Sequence, residues 1–317
     1  MKALVVEGGK FSIDESYAKP APERDEAVIK VTYAGICDTD VQLASGYLSF
    51  EGVAGHEFVG VVEGGSEAWL GKRVVGEINC PCGVCEHCLA GRSKHCTYRT
   101  VLGIDGRDGC FAEYTTLCTA NLHEVPAAVP DEKAVFAEPL AAAVNVVELT
   151  HVAPTDEVAV VGDGKLGLLV AQVVSLSGAD VVVVGHHPGR ADKLAEMGRP
   201  VPILKPDDAT GGHYDVVVEC TGAADGLQHA LGYVRPRGTV VLKSTIADPY
   251  NVDLGPAVVN EVAVVGNRCG PFPPALKLLS EGLIDPTPLI EEIHRFDELP
   301  DVLARGAPGL KHLIKFE

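Results

Sequence analysis

The sequence predicts a two-domain α/β protein, in which a β-rich domain carrying metal-ligating residues is joined to a doubly wound parallel sheet. Three observations point there. The chain has 317 residues, enough for about two domains with real cores. Its first third breaks into short valine-rich runs bounded by glycine, proline or charge, as strands do. From Glu157 the texture changes to alternating strands and helices, opening on a glycine-rich turn between an apolar strand and an apolar helix.

Composition narrows the partners. Hydrophobic residues make up 46% and charged residues 22%, with a formal net charge of −18. An acidic surface repels nucleic acid and anionic membranes, although scattered acids also serve plain solubility. No uncharged apolar run approaches the roughly 18–20 residues that span a bilayer. Met1–Glu7 reads as a strand without the apolar core of a secretory signal. Ten cysteines in a chain of this size and kind imply a reducing compartment, in which spaced thiols mean metal. The expectation is a cytoplasmic protein.

In the first domain the predicted strands are Ala3–Val6, Ala27–Tyr33, Glu57–Glu63 and Arg73–Ile78. Between them lie Gly35-Ile36-Cys37-Asp38-Thr39-Asp40 and Gly55-His56-Glu57. A thiolate and an imidazole suit zinc, and a catalytic zinc needs three protein ligands with one position open. Cys37 and His56 supply two and a carboxylate the third; an isolated Cys and His also occur as plain core residues. The densest signal is Cys82-x2-Cys85-x2-Cys88-x7-Cys96. Four thiolates at this spacing close a tetrahedron around one structural zinc within a lobe spanning residues 80–97. An iron–sulfur cluster is the competing use of such a run. Cys80, His87 and His95 are read as bystanders, and Cys110, Cys118, Cys220 and Cys269 as small buried hydrophobes.

Phe136-Ala137-Glu138-Pro139 opens a helix, where a carboxylate also favours the positive end of the helix dipole. The strand Glu157–Val161 then meets Gly162-Asp163-Gly164-Lys165-Leu166-Gly167 and a helix to about Ser177. Strand, G-x-G-x-x-G and helix together form a dinucleotide site, with pyrophosphate at the helix N-terminus. Further strands are predicted at Asp180–Gly185, Tyr214–Cys220, Thr239–Ser244 and Glu261–Gly266. At the end of the second strand an acid would hold the ribose 2′-hydroxyl of NAD. Gly185-His186-His187-Pro188-Gly189-Arg190 has none, so NADP is expected over NAD, unless the loop is merely solvated and tolerates both.

Taken together, Gly35 to Asp40, Gly55-His56-Glu57, Cys82 to Cys96, Glu138-Pro139-Leu140-Ala141 and Gly162 to Gly167, in this order, resemble the zinc-dependent medium-chain dehydrogenase/reductase family, the alcohol, sorbitol and threonine dehydrogenase group. The resemblance implies a GroES-like catalytic domain over residues 1–137, a Rossmann domain over 138–266, a return segment over 267–317, and an active site between the domains. It implies two zinc ions per chain. Cys37, His56 and Glu138 would hold the catalytic zinc, Glu138 directly or through water, with Glu57 exchanging with it or acting from behind. Thr39 resembles the hydroxyl that passes on the substrate proton, while Gln42 stands where a histidine often completes that relay and cannot titrate. Thr221 and Arg268 join the cofactor residues, although an ordinary exposed arginine would account for the latter. The implied reaction is reversible hydride transfer between an alcohol, polyol or sugar and the nicotinamide, by a homodimer or homotetramer. A zinc-free quinone or enone reductase of the same fold and a non-catalytic redox sensor are the alternatives. The former would hold one zinc, and the latter would turn over no alcohol or ketone.

Overall fold

The ten-residue strand Glu26–Gly35 organises the first half of the chain. Nearly every residue in it is buried, because it pairs antiparallel with Glu57–Gly64, with Tyr114–Cys118 and with the C-terminal strand Lys311–Lys315. The sheet runs Leu122–Glu124, Arg73–Gly76, Glu57–Gly64, Glu26–Gly35, Lys311–Lys315, Ile290–Arg295, with Tyr114–Cys118 paired off that path. Its register sets Gly35 opposite both Glu57 and Leu313, so the end of one strand meets the start of the second and the returning chain. Two small three-stranded sheets accompany it.

The structure is a computed structural model and describes residues 1–43, 47–246 and 250–317. The chain divides into two compact units, Met1–Glu138 with Ile290–Glu317, and Pro139–Leu289. The second unit carries the predicted parallel sheet, six strands in the order Ile203–Leu204, Asp180–Val184, Glu157–Val161, Tyr214–Glu219, Val234–Leu242, Ala263–Gly266. Its central strands are valine-rich and buried at successive positions, so side chains on both faces are covered. The helix Lys165–Ser175 buries eight consecutive residues, Gly167 to Val174.

The chain returns to the first unit at Ile290, later than the sequence boundary of 267. The reason is the helix Phe272–Ser280. It buries Phe272, Ala275, Leu276 and Leu279, spaced on one helical face, within the parallel-sheet unit. Asn267 is held there too, exchanging side-chain and backbone hydrogen bonds with Asn145. Among the described residues no helix is long and apolar enough to cross a membrane.

Candidate functional site

Cys37 lies two residues past the strand Glu26–Gly35, and His56 immediately precedes the paired strand that Glu57 begins. The sulfur of Cys37, a ring nitrogen of His56 and a carboxylate oxygen of Glu57 all lie within 4.8 Å of one another, His56 and Glu57 fully buried. A soft sulfur, an imidazole and a carboxylate are a donor set for zinc. The Thr39 hydroxyl accepts from Cys37 Sγ at 3.7 Å, so it stands beside this cluster.

The side chain that orients the cluster is Asp40, which carries no signal of its own in the sequence. One carboxylate oxygen lies 3.1 Å from His56 Nδ1 and the other accepts the Cys37 backbone N–H at 2.8 Å. With Nδ1 engaged, Nε2 is the nitrogen left to face a metal. Burial opposes charge on His56, but the Asp40 carboxylate outweighs it and holds the imidazole pKa well above its ordinary value. Glu57 is held from the other side by Lys311, which is also fully buried and donates to the Ile36 carbonyl at 3.0 Å. Gly35 makes room for that pair, since a Cβ there would sit 2.5 Å from Glu57 Oε2 and 2.8 Å from Lys311 Cε. Glu138, in the first turn of the helix Ala137–Leu149, is not in the three-residue cluster that the structure gathers.

The second cluster is Cys82, Cys85, Cys88 and Cys96, again within 4.8 Å. The sulfurs of Cys85 and Cys88 are 3.5 Å apart, Cys85 and Cys96 3.7 Å, Cys82 and Cys88 4.0 Å. A zinc tetrahedron with bonds of ~2.3 Å has sulfur–sulfur edges of about 3.8 Å, so the arrangement fits the ion. Backbone N–H groups of Cys82 and Tyr98 donate to Cys96, and that of Cys85 to Cys82. Backbone hydrogen bonds from Cys88 and Thr97 bring the Cys85 thiol down to about 6, whereas burial pushes Cys88 up to about 12. Thiolates alone crowd one another, and a dication relieves that. Cys80, His87 and His95 stay outside the tetrad.

In the parallel-sheet unit the glycine turn has the geometry a pyrophosphate needs. Gly162 has φ +111 and lies against the Cys220 carbonyl, Gly167 packs against the Gly162 carbonyl, and Gly164 faces open space. Lys165 and Leu166 begin the helix. At the end of the second strand the fold supplies what the local sequence lacks. Asp163 reaches across from the turn, packs on Gly185, and accepts the His187 N–H at 2.6 Å. Its backbone carbonyl accepts from Arg190 at 2.7 Å, and its carboxylate stands 3.6 Å from that guanidinium. This corrects the expectation of an acid-free pocket: a carboxylate is present, contributed by the glycine turn. His186 and His187 remain exposed. Thr221 donates through both its N–H and its hydroxyl to the buried Glu219, which also accepts from Ser244. The Arg268 carbonyl accepts from Asn145 and from the buried Lys243. Glu219 and Lys243 carry no sequence signal beyond that of ordinary strand residues.

Residues 23–127 match the alcohol dehydrogenase GroES-like domain, and residues 166–281 match the zinc-binding dehydrogenase domain. A sorbitol dehydrogenase of Halalkalibacterium halodurans is 31% identical over 94% of both chains. Among solved structures, a putative zinc-binding dehydrogenase of Sinorhizobium meliloti bound to NADP superposes with a TM-score of 0.89, at 29% identity over 99% of each chain. A short chain alcohol dehydrogenase of Escherichia coli complexed with NADH gives 0.88, at 28% identity over 100% of this chain and 99% of that one.

Proposed function

This chain belongs to the zinc-dependent medium-chain dehydrogenase/reductase family, and on that premise we propose that it transfers hydride reversibly between a secondary alcohol, polyol or sugar hydroxyl and NAD(P). The observation that carries the proposal is the convergence of Cys37, His56 and Glu57 within 4.8 Å, with His56 tied by Nδ1 to Asp40.

When bound, zinc supplies Lewis acidity that lowers the pKa of a substrate hydroxyl. The chain's own residues do the rest. Cys37 and His56 are proposed as two ligands, and Asp40 fixes the imidazole tautomer. Glu57 and Glu138 compete for the third place. Because Lys311 already grips Glu57, Glu138 is the proposed lasting ligand and Glu57 its neighbour. Metal content decides between them, since Glu138→Gln should empty the site and Glu57→Gln should weaken it. Thr39 takes the departing proton at its hydroxyl. Gln42 cannot carry the proton further, so its exit must use water, the cofactor ribose or another group. Cys82, Cys85, Cys88 and Cys96 hold a second, structural zinc, giving two per chain.

For the cofactor we keep NADP as the proposed preference. The Asp163 carboxylate is occupied by the His187 N–H and faces the Arg190 guanidinium, which offsets its repulsion of a 2′-phosphate. The oligomer is a proposed homodimer or homotetramer: the edge strand Ala263–Gly266 is mostly exposed, and the neighbouring Val258 and Val259 are 76% and 81% exposed. The metal-spaced thiols suit a reducing cytoplasm. A panel of secondary alcohols, polyols and sugars assayed with both cofactors tests the function. Turnover should appear with NADPH or NADP favoured, and Cys37→Ser should abolish it while the protein stays folded. Activity that survives Cys37→Ser would defeat the assignment.

A further inference from the structure

A third ligand cluster lies outside both sites, where the strands Ile290–Arg295 and Lys311–Lys315 run parallel. Register places Glu292 directly opposite His312, and His294 two residues further along, so all three share one face of the sheet. The other face of the strand Lys311–Lys315 carries Lys311 toward Glu57. The ligand atoms of Glu292, His294 and His312 fall within 4.8 Å. His294 Nε2 is 2.9 Å from His312 Nδ1 and 3.6 Å from Glu292 Oε2.

Two details prepare these groups for a cation. His312 Nε2 is 2.7 Å from the Pro308 carbonyl, which can only accept, so Nε2 carries the proton and the Nδ1 lone pair turns toward His294. The imidazoles are buried, yet the Glu292 side chain is 64% exposed, which leaves an entry from solvent.

We propose that Glu292, His294 and His312 form a further metal site, selective for a borderline divalent cation of the zinc class and clasping the two strands together. Two imidazoles and one carboxylate favour zinc over calcium or magnesium, which prefer all-oxygen shells. On binding, the proton between the rings moves to His294 Nδ1, and the two nitrogens part from 2.9 Å to the ~3.3 Å edge set by Zn–N bonds of ~2.0–2.1 Å. No net proton is lost.

The test is zinc titration of the purified holoenzyme against a chelating dye, with metal counted after desalting. Wild type should hold one more equivalent of Zn²⁺ than His294→Gln, whatever the cysteine sites hold, because only the difference is read. Glu292→Gln, at an exposed position that the fold tolerates, should weaken that equivalent at least tenfold and leave dehydrogenase activity unchanged. Added Zn²⁺ should raise the melting temperature of wild type more than that of Glu292→Gln. Equal zinc content and equal affinity in wild type and Glu292→Gln would overturn the proposal, including in the case that His294→Gln fails to fold.

Discussion

His56 Nδ1 and Asp40 Oδ1 lie 3.1 Å apart, and both side chains are buried. A carboxylate behind a ligating imidazole fixes its orientation and raises its basicity. Asp40→Asn should therefore lower zinc affinity by about 10–100-fold, the usual cost of losing such a partner. The metal-free protein should also show the pair in its pH dependence. Because the folded pKa of His56 is raised, its contribution to stability is complete below the unfolded value of ~6.5 and disappears as pH climbs through the folded value. Denaturation midpoints of metal-free wild type and Asp40→Asn should converge as pH rises. A gap that widens instead would contradict the charged pair.

The Lys311–Glu57 pair is buried on both sides, at 1% and 2% side-chain exposure. Removing one partner strands the other charge, at a cost of about 3–5 kcal/mol. Lys311→Met should destabilise by that amount in denaturant melts, and Lys311→Met with Glu57→Gln should recover part of it. Gly35→Ala should act in the same direction, because its methyl group would enter the space the pair occupies. Additive losses in the double variant would mean that the two side chains do not depend on each other.

Ligand types at fixed spacings are legible in the bare sequence, since Cys82 to Cys96 and Gly162 to Gly167 are local patterns with one geometric purpose. The strands Glu157–Val161, Asp180–Val184 and Tyr214–Glu219 also follow from it, because buried valine runs have few alternatives. Val234–Leu242, by contrast, begins before the expected Thr239, and the short Ile203–Leu204 gives no such signal. What escapes a linear reading is every contact that needs the fold to exist. Asp40 reads as no more than the end of the Gly35–Asp40 run until His56 arrives beside it. Lys311 is 254 residues from Glu57 in sequence. Asp163 reads as part of a glycine turn, and only strand pairing brings it to Gly185. The amphipathic helix Phe272–Ser280 delays the return to the first unit because apolar periodicity shows that a helix packs, not which unit it packs against.

In the sequence Cys80 reads as a bystander to the tetrad and Cys118 as a small buried hydrophobe, but in the structure the two meet and Cys118 is only half-buried. A hydrogen bond from Cys80 and the nearby Arg107 guanidinium bring the half-buried Cys118 thiol down to about 7, against the effect of burial. Burial pushes Cys110 and Cys220 upward. Alkylation follows thiolate fraction and access. Iodoacetamide at pH ~7.5 should label Cys118 at least about tenfold faster than Cys110 or Cys220 in the zinc-loaded protein. Peptide mapping by mass spectrometry reads this directly, and labelling of all three at one rate would refute it.

Asp163 governs the last prediction, because it places a negative charge at the end of the second strand of the parallel sheet and sits 3.6 Å from the Arg190 guanidinium. Asp163→Asn keeps the size of the side chain and an acceptor for the His187 N–H, but removes the charge. A 2′-phosphate would then meet Arg190 without an opposing carboxylate. The ratio of kcat/KM for NADPH over NADH should rise on the order of tenfold, equivalent to about 1.4 kcal/mol of removed repulsion. Added salt should shrink the gain if the phosphate is partly exposed. A ratio that stays constant would place the ribose away from Asp163 and remove the electrostatic basis for the NADP preference.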